Sequence, residues 1–218
     1  MTSLNEYLHS NQQLLTQLQK QLQSLLDNFR KGDLFDSGES ELFQKQNKEM
    51  AIYSATIPVI GGASTGAHLR HILDFYQSFY RGAKDGHIDY DNRQRNIKIE
   101  QRIDAGLDKI RDALEQLEQL KFSENRAVSV NTAVTVKEFQ SPDQPNSSSS
   151  NLIRELQFLH SHTTHHMAII GIILQLNNID VDENFGKAPS TIQYERQQST
   201  VLIQEQNSGS VTQSSISR

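Results

Sequence analysis

Cysteine is absent from this 218-residue sequence, which excludes disulfides, thiolate metal ligands and a cysteine nucleophile. Apolar residues are scarce at 35%, against roughly 45–50% (glycine included) in typical soluble domains. Asn, Gln and Ser take their place, chiefly at the two ends and in one interior stretch. The core must then come from the middle of the chain, roughly residues 45–180, and the length suits one domain with peripheral segments. A basic excess is lacking too. The formal net charge is −5, with Lys and Arg scattered rather than striped, so there is no electrostatic footprint for nucleic acid. The longest apolar run, Ala168 to Leu174, is far too short to span a bilayer. The opening MTSLNEYLHSNQQ lacks the basic and apolar regions of a secretory signal. A cytoplasmic protein with neither nucleic-acid nor membrane partners is expected.

What is present is mostly helical patterning. From Leu15 to Phe29 apolar residues recur at steps of three and four, the mark of an amphipathic helix that could pack on the domain or pair with another chain. Residues 31–46 read as a loop, and 47–57 as a helical stretch interrupted by Pro58 and the GGASTG segment. Ser64 or Thr65 can cap the next helix, expected from Gly66 to Tyr80. Arg81 to Arg95 reads as a polar turn, and residues 95–121 as one long amphipathic helix. Ala127 to Phe139, rich in Val and Thr, suggests a hairpin or extended segment, and Ser141 to Ser150 a flexible loop. The last long helix is expected from Asn151 to Leu176, followed by a disordered Gln- and Ser-rich tail from Tyr194.

Of eight histidines, six fall in two clusters: His68 and His71, then His160, His162, His165 and His166. On the last helix Leu159, His162, His166, Ile169, Ile170 and Ile173 follow steps of three and four and so share one apolar stripe. His162 and His166 are one turn apart, with Cβ atoms roughly 5–6 Å from each other. Two imidazoles at that spacing can close on one ion; otherwise both would need hydrogen-bond partners inside a core. A third ligand should come from a neighbouring helix, where His71 shares a stripe with Ile72, Phe75 and Phe79, and His68 lies three residues earlier as its rival. Three imidazoles leave coordination positions open, as a reactive site requires. All-nitrogen ligation suits zinc, nickel, copper or ferrous iron. Glu155 and Asp74 are candidates to hold imidazole protons from behind. The Asp89-Tyr90-Asp91 run with Arg93 and Arg95 either positions an anionic substrate or forms a solvated turn.

The segments TGAHLRHILDFYQSFYRG, IDYDNRQR, REL-x3-HSHTTHHMAIIGI and FGKAPSTIQY occur in this order over about residues 50–194. Together they resemble the DinB/YfiT-like superfamily of metal-binding four-helix bundles. The resemblance implies a His on the second helix, often followed by an apolar residue and then Asp at the third position, and an H-x3-H pair on the fourth. His71-Ile72-Leu73-Asp74 fits the first and His162 with His166 the second, which favours His71 over His68. Relatives of that kind include thiol S-transferases using bacillithiol or glutathione-like cofactors, a mycothiol-dependent isomerase, and the metal-binding part of ergothioneine-forming enzymes. Their common theme is a metal that lowers the pKa of a bound thiol or water.

The expectation is therefore an all-α chain: a four-helix bundle of the DinB/YfiT-like type over 46–193, an extra N-terminal helix and loop over 1–45, and a disordered tail over 194–218. Its metal (zinc, nickel or iron) would be held by His71, His162 and His166. The expected function is a metal-dependent enzyme, S-transferase-like or hydrolase-like, that activates a thiol or water against a small-molecule substrate, with a low-molecular-weight thiol as second cofactor. The rival expectation is a metal-stabilised binding or regulatory module without turnover. A homodimer is compatible with either.

Overall fold

A computed structural model of the chain describes residues 3–31, 52–58, 61–121, 124–131 and 147–211. The elements in order are α1 (Leu4–Lys31), α2 (Thr65–Asp85), β1 (His87–Asp89), α3 (Ile97–Gln101), α4 (Ile103–Gln119), β2 (Ala127–Asn131), β3 (Ser147–Asn151), α5 (Leu152–Leu176) and α6 (Pro189–Val211). The protein is mostly helical. Residues 1–186 form one compact unit and 187–218 a second. Among the described residues no helix is long and apolar enough to cross a membrane.

Four long helices make the core of the first unit. α1 packs against α4 and α5, and α2 packs against the same two, which closes a ring of four. The heptad-like steps of α1 put Leu8, Leu15, Leu18, Leu22 and Leu25 wholly inside. They meet Leu69, Ile72, Phe79, Ile110, Leu156, Leu159 and Ile170 from the other three helices in one cluster. The N-terminal helix, set apart by its sequence as an addition, is thus a full member of the packed core. A buried polar knot ties three of the helices together. Asn11 donates from Nδ2 to the Leu156 carbonyl at 3.0 Å and accepts from the Tyr76 hydroxyl at 2.7 Å.

Capping explains where the two site-bearing helices begin. Ser64 accepts from the Ala67 N–H at 3.1 Å to start α2, and Asn151 accepts from the Arg154 N–H at 3.0 Å to start α5. α2 runs five residues beyond the expected Tyr80 and stops at Gly86, whose φ of 82° is the left-handed conformation that glycine adopts freely.

Several expectations are corrected. The chain is not all-α, because β1, β2 and β3 form a small mixed sheet in that order. β1 pairs parallel with β2 (Ile88 opposite Val130), and β2 antiparallel with β3 (Val128 opposite Ser150). β1 lies within the stretch read as a polar turn, and β3 begins in the Ser-rich stretch read as a loop. β3 is four serines and an asparagine, and the strand it pairs with carries the buried Val128 and Val130. The long helix read over 95–121 is two helices. At Arg102 the backbone is extended (φ −136°, ψ 122°). The Ile99 carbonyl is taken by the Tyr53 hydroxyl at 2.6 Å, and the bare Cα of Gly66 crowds the Glu100 carbonyl, where a Cβ would stand 2.2 Å away. That contact holds α3 as a separate short helix.

The tail read as disordered from Tyr194 is helical as far as Val211, and its side chains over 193–200 stand in solvent, in keeping with the absence of an apolar stripe. Of the helical stretch read over 47–57, residues 52–54 make a helical turn. Residues 47–51, positions 32–46 of the loop read over 31–46 (Lys31 itself ends α1), the continuation of the extended segment over 132–139, the first part of the Ser-rich stretch (141–146) and the tail's last residues (212–218) lie outside the described residues.

Candidate metal centre

α2 and α5 pack side by side, and their contact brings the two histidine clusters together. One nitrogen from each of His71, His162 and His166 lies within 4.8 Å of the other two, close enough to hold one metal ion. Nε2 of His71 is 3.0 Å from Nε2 of His162. The ring centroids are 4.9 Å apart for His71 and His162, 4.6 Å for His71 and His166, and 4.5 Å for His162 and His166.

The three side chains are half-buried rather than fully enclosed. The row of α5 that enters the core is Leu152, Leu156, Leu159, Thr163, Met167, Ile170 and Leu174, and the histidines occupy the row beside it. This corrects the expectation of a stripe shared with Leu159 and Ile170. α5 is apolar on most of its circumference, so its sequence alone leaves the inward row uncertain by one position. The outcome suits a reactive site, since a small ligand can reach a flanking row and not a core.

His68, the rival of His71, sits one turn earlier on α2 with its Nδ1 2.9 Å from Nδ1 of His166. Its Nε2 is buried without a hydrogen-bond partner, as is Nδ1 of His162. The two carboxylates considered as proton holders are engaged elsewhere. Asp74 is buried in an ion pair with Arg70 at 2.6 Å, and Glu155 is buried beneath the Ser150 hydroxyl, which donates to it. The group that does reach a ligand candidate from behind is Arg93, whose Nη1 is 3.1 Å from Nδ1 of His71. Nothing in the sequence pattern picks it out from Arg95. Phe75 supplies an apolar wall, stacked on His162 at 4.2 Å and on Tyr90 at 5.1 Å.

Burial keeps these imidazoles neutral, and neighbouring cations or histidines push the same way. His71 and His162 are each pushed down to about 4, and His166 to about 3. Neutral imidazoles have lone pairs free for a metal at ordinary pH. Metal-free stability follows with a definite sign. The folded values lie below the unfolded histidine value of about 6.5, so the unfolded chain binds more protons between the two. The contribution of these groups is complete above about pH 6.5 and is lost as pH falls toward about 4. The urea midpoint of chelator-treated protein is expected to drop steadily from about pH 7 to about pH 4.5. A flat profile over that interval would contradict the burial of the cluster.

No family model, curated protein or solved structure matches this chain.

Proposed function

We propose that this chain is a divalent-metal-binding protein of the DinB/YfiT-like type, with the ion held by His71, His162 and His166, that activates a thiol or a water for attack on a small electrophile. The observation that carries the reading is the convergence of three neutral imidazole nitrogens within 4.8 Å from two helices. The donor set fits zinc, nickel or ferrous iron, and the cluster leaves the buried Nε2 of His68 and Nδ1 of His162 without a hydrogen-bond partner. The ring of four long helices supports the kinship as well. With α1 counted as the first, His71 falls on the second and the H-x3-H pair on the fourth, as the resemblance implies.

When bound, such an ion supplies Lewis-acid activation, drawing the pKa of a coordinated thiol or water toward neutrality. The chain's own residues do the rest. His68 meets His166 through Nδ1 and fixes that ring's orientation. Phe75 stacks on His162 and keeps bulk water from one side of the cluster.

Protein purified without a polyhistidine tag is expected to carry about one divalent ion per chain by elemental analysis, as a three-histidine site does. With the ion in place, a small electrophile should be consumed faster when a low-molecular-weight thiol is supplied. A well-folded preparation essentially free of metal, and unable to take up zinc, would refute the reading. A full complement of metal with no turnover across thiols and hydrolysable esters would leave a metal-stabilised module in place of an enzyme.

A further inference from the structure

We propose that Arg93 anchors a carboxylate group of the ligand that sits beside the three histidines, and that it becomes free to do so when His71 takes up a metal ion. This rests on the metal-binding reading above and adds the ligand's chemical class to it.

The argument begins with protons. A guanidinium has only N–H donors. With Arg93 Nη1 3.1 Å from His71 Nδ1, that ring nitrogen must accept, and the His71 proton sits on Nε2. Nε2 faces His162 Nε2 at 3.0 Å, so it donates there, and the His162 proton falls on Nδ1. That atom is buried with no partner. Both nitrogens of His71 are therefore occupied, one by Arg93 and the other by a proton. An ion on Nε2 requires the proton to move to Nδ1, where it would point at the guanidinium, donor against donor. An ion on Nδ1 takes the lone pair that Arg93 uses. On either route Arg93 lets go of His71.

Charge then decides what Arg93 binds. Three neutral imidazoles bring no negative charge. Neither nearby buried carboxylate hydrogen-bonds Arg93: Asp74 shares Arg70 with Glu100, and Glu155 accepts from the Ser150 hydroxyl. A divalent ion would thus stand beside a guanidinium whose Nε is buried without a hydrogen-bond partner. Two half-buried cations side by side favour an anion that reaches both. One anionic group on the ion, a thiolate or hydroxide, leaves the guanidinium unmet. A planar carboxylate matches its fork of donors. The guanidinium carbon lies 4.8 Å from the centre of the Phe75 ring, which itself stacks on His162. Arg93 is thereby held at the edge of the cluster, one aromatic ring away from the reacting position.

The test measures zinc affinity of the full chain by competition with a chromophoric chelator. Saturating acetate at constant ionic strength is expected to tighten zinc binding to the wild type about tenfold, the scale of one charge-assisted hydrogen bond. Acetamide, uncharged, should do nothing. Arg93→Leu removes the competitor, so it should bind zinc about tenfold more tightly than wild type without acetate and show no response to acetate. Arg93→Lys keeps the charge but not the fork, and should keep a smaller acetate effect. If the leucine variant does not fold, the wild-type and lysine measurements decide. Zinc binding that is indifferent to acetate overturns this proposal alone. So does an acetate effect of full size in Arg93→Leu. A wild-type chain that takes up no zinc overturns the metal reading and this one with it.

Discussion

Alanine in place of His162 is expected to empty the proposed metal site. The ring contributes one of three ligand nitrogens that lie within 4.8 Å of one another, and two imidazoles that remain hold an ion poorly. Loss of a partner behind a ligand already weakens metal binding by about 10–100-fold, so loss of a ligand should exceed that range. Stability follows by mass action. An ion present at about a thousand times its dissociation constant stabilises the fold by about 4 kcal/mol, and the variant forgoes most of it. Thermal unfolding with and without a chelator checks this. The wild-type midpoint should fall when metal is removed, and that of His162→Ala should hardly change. His160→Ala is the control, since His160 is a half-buried histidine of the same helix outside the cluster. Retention of about one ion per chain in His162→Ala would show that the ligands lie elsewhere.

Gly82→Ala should be a strongly disruptive one-carbon change. A Cβ at this position would stand 2.4 Å from the His87 carbonyl oxygen and 2.5 Å from the Ile88 Cα, both of them backbone. Alanine favours a helix over glycine by about 1 kcal/mol, but the overlap forces β1 away from α2. Overpacking of this kind costs about 1–3 kcal/mol and sometimes more. The strand cannot yield freely, because Ile88 is fully buried and β1 is paired with β2. The chain from β1 leads directly to Tyr90 and Arg93, so the displacement reaches the cluster. A lower urea midpoint with weaker zinc binding is expected. Gly106→Ala meets side-chain rather than backbone atoms, Leu69 Cδ2 at 2.5 Å and the Tyr53 hydroxyl at 2.9 Å, and should be milder. Equal stability of Gly82→Ala and wild type would mean that β1 does not pack as described.

How much of this could be read from the residues follows from the range of each interaction. α2 and α5 are legible, with Ser64 as one of two candidate caps for α2, because a cap and the apolar steps act within one or two turns. The spacing of His162 and His166 is local in the same sense, and the structure brings His71 to them. What escaped is non-local. β1 and β2 are paired strands on opposite sides of α3 and α4, and no window of sequence contains both. The break at Arg102 comes from Tyr53 and Gly66 pressing on α3 from distant parts of the chain. The Arg93–His71 contact spans 22 positions and the His68–His166 contact 98. Periodicity in α5 found a helix with an inward face, but a helix apolar on most sides does not say which row faces in.

His71 and His162 are 91 positions apart, and the stretch between them contains α3, α4 and the entire sheet. An ion shared by the two is a cross-link that closes this loop in a chain with no cysteine to make one. Because the ion leaves an unfolded chain, its contribution comes from binding the folded one rather than from confining the loop beforehand. Such a link also forms late, since its ends meet only after the intervening elements have packed. Interactions made after the folding barrier slow unfolding rather than speed folding. The ion would thus act on the lifetime of the folded state, as a clasp that has to open before the helices can part.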